Sequence, residues 1–63
     1  MLDNNAYNLI AQAVEESKSL WRMKDTYRED ALGCEECIAF WDKMVKDKED
    51  HLTELREVIA SHL

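Results

Sequence analysis

The chain has no proline and a single glycine, Gly33, among its 63 residues. So little turn chemistry argues against an all-β fold, which needs a turn every few residues. Long apolar runs are missing too. The longest is Cys37 to Trp41, far short of the roughly 20 residues that span a bilayer. Bases are scarce: eight Lys and Arg stand against fourteen Asp and Glu, giving a net charge of −6. Nucleic acid and anionic membrane surfaces are bound through clustered Lys and Arg, so neither is an expected partner. The stretch from Met1 to Ile10 has neither the basic region nor the apolar core of a secretory signal. The expected location is therefore the cytoplasm, where Cys34 and Cys37 rest as thiols. At 7.4 kDa the chain is one domain, too short to bury a large core alone or to enclose a catalytic cleft. That argues against a self-contained enzyme.

What is present suits long helices. The apolar share of 46% and the two tryptophans separate the chain from disordered sequences. Asp3, Asn4 or Asn5 can cap a first helix over about 4–31. Gly33, which takes positive φ cheaply, marks a turn at about 32–33. A second helix follows over about 34–62. A short connection makes the two antiparallel neighbours. In the first helix, spacings of three and four pick out Ala6, Leu9, Ala13, Glu16, Leu20, Met23, Tyr27 and Ala31. A flanking stripe adds Ile10, Val14, Ser17 and Trp21, while Glu15, Gln12, Ser19 and Arg22 share a solvated face. The second helix offers Cys34, Cys37 or Ile38, Trp41, Met44 or Val45, Lys48, His51 or Leu52, Leu55, Val58 or Ile59, and His62. This face is wide enough for two neighbours. The expected architecture is an all-α, two-helix antiparallel hairpin that homodimerises into a four-helix bundle. Trp21 and Trp41 are expected in the core or the dimer interface. His62 sits in the last turn, where positive charge suits the helix dipole.

Each stripe carries a polar residue near its middle: Glu16 in the first, Lys48 in the second. If the chain reverses near 32–33, residues whose numbers sum to about 65 lie side by side. Glu16, Lys48 and His51 then converge on one polar layer, and buried charge demands pairing. In one reading Lys48 supplies the cation, pairs with Glu16, and His51 is a neighbour. In another, Glu16 and His51, with Asp47 as a further ligand, hold iron or another divalent metal across the dimer. In a third, Lys48 or Glu16 snorkels to the rim and no layer exists.

The runs EESKSLW (Glu15 to Trp21) and FWDKMVKDKEDHLTEL (Phe40 to Leu55) resemble the ferritin-like superfamily. Rubrerythrins and the short encapsulated-ferritin-like proteins are the nearest in type. The resemblance covers nearly the whole chain and implies a half-bundle completed by dimerisation or further assembly. In that family a first-helix glutamate and a Glu-x-x-His pair bind two iron ions. Glu16 matches the first glutamate and His51 the histidine. The position three before His51 is Lys48 instead of glutamate. What the resemblance then implies is a bundle that kept its frame and lost its centre, non-catalytic and structural or interactive in role. The metal-binding alternative is an iron-handling or oxidative-stress protein.

Cys34 and Cys37 form a C-x-x-C at a helix start, a spacing used in redox proteins and in halves of zinc sites. Glu35 and Glu36 between them oppose a thiolate, and the surroundings are not βαβ. The expectation is a pair of buried or half-buried structural thiols, with thiol redox as the alternative role. No phosphate loop and no nucleophile elbow appears.

Overall fold

The computed structural model describes residues 3–62, which form two antiparallel helical arms joined by a tight turn. The first arm contains α1 (Asn4–Arg22), a π-helical turn (Met23–Tyr27) and the single turn α2 (Arg28–Asp30). The second is α3 (Glu35–His62). Among the described residues no strand occurs, and no helix is long and apolar enough to cross a membrane.

Local chemistry sets the ends. Asp3 is the residue that caps α1: its Oδ1 accepts from the Ala6 N–H at 2.7 Å, satisfying one of the helix's orphan donors. The turn spans Ala31 to Gly33, and Gly33 takes φ +96°. No atom stands within 4 Å of where its Cβ would be, so glycine is required for backbone conformation and not for space. Cys34 precedes α3 and caps it, its Sγ accepting from the Cys37 N–H at 3.3 Å.

The first arm is not the unbroken α-helix expected over 4–31. The Met23 N–H is shared between the Ser19 and Leu20 carbonyls, and the next turn widens into π geometry. Single π turns are rare, and spacing rules built on 3.6 residues per turn do not foresee them. The wider turn lets neighbouring positions face α3 together. Met23 is buried there, Lys24 reaches Glu49 at 3.4 Å, Tyr27 packs on Trp41 with centroids 5.2 Å apart, and Arg28 meets Asp42 at 2.8 Å.

The seam follows the predicted stripes. Ala6, Met23 and Leu52 are buried, and Leu9, Ala13, Leu20, Val45, Leu55 and Ile59 are half-buried. Those three are all the buried apolar residues among the described ones, while Tyr7, Val14, Trp21, Leu32 and Phe40 stand about half or more exposed. Trp21 is therefore not a core residue of the hairpin, being 64% exposed. One face of α1 is spent on α3, and nothing in a two-helix hairpin covers its flank.

The molecule is a ribbon, 48 × 16 × 11 Å, with a radius of gyration of 14.4 Å. A compact 63-residue domain would have a radius near ~11 Å. The accessible surface is 4921 Å², against about 4,200 Å² for a compact monomer of this mass.

Candidate functional site: a polar pair in an open groove

One side of the ribbon carries a groove of about 410 Å³ between the arms. Leu9 contributes apolar wall from α1, and Leu55 and Val58 contribute it from α3. Gln12, Glu16, Lys48, His51 and Glu54 supply polar groups. Helical spacing explains this set. Gln12 and Glu16 lie four residues apart on α1, while Lys48, His51 and Leu55 recur at three and four on α3.

At the groove's centre Lys48 Nζ donates to Glu16 Oε2 at 2.5 Å. The other carboxylate oxygen, Oε1, accepts from Gln12 Nε2 at 2.8 Å. Both oxygens of Glu16 are thus engaged. The two charged side chains are only 19% (Lys48) and 21% (Glu16) exposed, unlike the other ion pairs among the described residues, which lie open to solvent. The Lys48 hydrogen bond holds the Glu16 carboxyl below the usual carboxylate range, against the opposing effect of partial burial. The Gln12 amide and the charges of Lys48 and His51 push the same way as Lys48's hydrogen bond.

The structure therefore brings Glu16 and Lys48 into contact and places His51 on the same groove, exposed and without a hydrogen bond to either. Asp47 is exposed and does not line the groove. Gln12 is exposed, as expected, and has a role the periodicity did not assign. Placed by periodicity on the solvated face, it reaches across one turn to Glu16. The signal for it was present, because residues four apart on a helix are surface neighbours.

A metal centre of the ferritin-like type needs several carboxylates and imidazoles converging on one point. The donors here do not fit that need within one chain. An ammonium occupies the carboxylate that would lead the ligand set, and it would repel a divalent ion placed beside it. Among the described residues no group of three or more His, Cys, Asp or Glu side chains is placed to hold a metal ion.

The thiols lie away from this groove. Cys34 and Cys37 are both exposed, not buried or half-buried as expected. The reason is the face they occupy: at this end of α3 it is Ile38 and Trp41 that are half-buried, and the two thiols lie off that stripe. At the other end of α3, the His62 ring nitrogen Nδ1 lies 2.8 Å from the Val58 carbonyl. It there meets the orphan acceptors of the last turn.

Comparison with protein-family models, with curated proteins and with solved structures finds no match for this chain.

Proposed function

We propose that this chain is a self-associating structural module. Two copies close face to face over the groove into a four-helix bundle of ferritin-like type, with Glu16, Lys48 and His51 forming a non-catalytic polar layer at its centre. The observation that carries the reading is the surplus of surface. The ribbon exposes about 700 Å² more than a compact chain of its mass. Two copies burying that surplus would bury about 1,400 Å² together, inside the range of a standard stable interface. A single layer of two helices is also half of the two-layer arrangement on which domains are built.

The groove is suited to a copy of itself. Its centre is a paired anion and cation that together carry no net charge, Leu9, Leu55 and Val58 give it apolar wall, and Glu54 is the further acidic residue of its lining. Closing a partner over Glu16 and Lys48 removes their remaining water, and the existing hydrogen bonds to both carboxylate oxygens offset that loss. Lys48 then stands where a metal-binding glutamate stands in ferritin-like proteins. The bundle keeps its polar layer by an ion pair in place of a metal. Its role is to present the outer faces of the bundle, Val14 and Trp21 among them, to other copies or to a partner.

Light scattering coupled to size exclusion tests the first claim. The expected mass is twice 7.4 kDa, with unfolding midpoints that fall on dilution. A monomer that unfolds cooperatively and independently of concentration rejects the dimer. Elemental analysis of the purified protein tests the second claim, and iron or zinc at one or more ions per dimer rejects the ion-pair layer.

A further inference from the structure

The groove leaves the two thiols unexplained. Cys34 caps α3 and Cys37 lies one turn in, so both sit at the positive end of the helix dipole. Their sulfurs are 2.7 Å apart and both side chains are exposed. The Cys37 N–H donates to Cys34 Sγ at 3.3 Å. Cys37 also lines a shallow cleft of about 320 Å³ with Tyr27, Asp30 and Trp41, which gives an incoming molecule room beside the pair. The two sulfurs are not equivalent. The hydrogen bond between the two sulfurs holds Cys34 below the usual thiol range, with the backbone N–H groups of Cys37 and Glu36 assisting. Cys37 is pushed up, first by its bond to Cys34 and also by burial and the charges of Cys34 and Glu36. Such an asymmetry assigns one attacking and one resolving thiol.

We propose that Cys34 and Cys37 form a dithiol centre that exchanges with low-molecular-weight disulfides, Cys34 attacking and Cys37 resolving. The Cys34 thiolate attacks one sulfur of the incoming disulfide. That S–S bond breaks, and the distal sulfur leaves as a thiolate that takes up a proton. Cys37 then loses its proton and attacks Cys34 Sγ, displacing the second partner sulfur, which is protonated in turn. Two cysteine thiols are oxidised to one intramolecular disulfide, and one partner disulfide is reduced to two thiols. The helix start favours closure, since C-x-x-C at this position places the sulfurs on one turn.

Glutathione disulfide serves as the probe on the full reduced chain, with acid quenching and mass spectrometry. The wild type is expected to lose two hydrogens and to carry no lasting adduct. Cys37→Ser is expected to accumulate one glutathione on Cys34. Cys34→Ser is expected to form its adduct about tenfold more slowly or slower still, in line with a lower thiolate fraction. Alkylation of the unmutated protein with limiting iodoacetamide, followed by peptide mapping, gives the same ordering without any substitution, with Cys34 modified first. A persistent glutathione adduct on the wild type overturns the proposal. So do disulfide-linked pairs of chains as the main product, or equal rates at the two cysteines by either method.

Discussion

Glu16 sets the chemistry of the groove, and its environment makes two predictions. Its carboxyl is held below the usual carboxylate range in the folded chain, chiefly by Lys48. The unfolded chain therefore binds this proton more readily than the folded one. The resulting stability is fully present above the unfolded value, near ~4.3, and is lost as pH falls through the lower folded value. Urea unfolding of wild type and Glu16→Gln at neutral and acid pH checks this. The gap between them is expected to be wide at neutral pH and to close in acid, and a gap that stays constant with pH rejects it. Lys48→Met strands the carboxylate with only the Gln12 amide as partner. The expected cost is about 2–3 kcal/mol. The pair's residual exposure keeps this below the ~3–5 kcal/mol of breaking a fully buried pair. Glu16→Met combined with Lys48→Met is expected to recover most of that loss in a double-mutant cycle. A neutral single variant would mean the pair contributes nothing to the fold.

Among the elements, the arms are held by caps at their ends and by a thin apolar seam between them. Asp3→Ala removes the side-chain acceptor for the Ala6 N–H, with an expected loss of about 1 kcal/mol. Gly33→Ala meets no steric obstacle, so its cost is that of φ +96° alone, about 1–2 kcal/mol. Thermal unfolding followed by circular dichroism measures both. Gly33→Asn should lose less than Gly33→Ala, because asparagine tolerates left-handed backbone better. The π turn belongs to this scale as well. Met23, Lys24, Tyr27 and Arg28 all engage α3, a grouping that a regular α-helix spreads over more of its circumference.

For the whole molecule the question is what covers the groove. Each chain carries −6, so two copies repel at long range, while the apolar walls of the groove attract at contact. Salt screens the first effect and leaves the second. The dimer proposed above is expected to tighten as ionic strength rises, measured by sedimentation equilibrium at two salt concentrations. Weakening with salt would point to charge pairing between chains and against the apolar groove. Val58→Asp, in the groove wall and 37% exposed, is expected to shift the protein to monomers. Trp21→Ala, on the flanking stripe, is expected to leave the dimer intact. The reverse result would place the interface on the Val14–Trp21 flank and the polar pair outside it.

The sequence by itself determined the elements and their seam. Spacings of three and four picked out Ala6 and Met23 and offered Leu52 beside His51, Gly33 marked the reversal, and the near-constant sum of residue numbers put Glu16 level with Lys48 and His51. These are properties of one helix, or of two helices joined by one short turn, and periodicity carries them. Tertiary structure decided the rest. Widening the arm at Met23–Tyr27 depends on what α3 presents opposite it, and that lies outside any window of local spacing. The exposure of Cys34 and Cys37 depends on which face of α3 turns to the first arm, and that face carries Ile38 and Trp41. The surplus surface of the ribbon is a property of the folded shape, because only after the two arms have packed can one see which apolar faces remain uncovered.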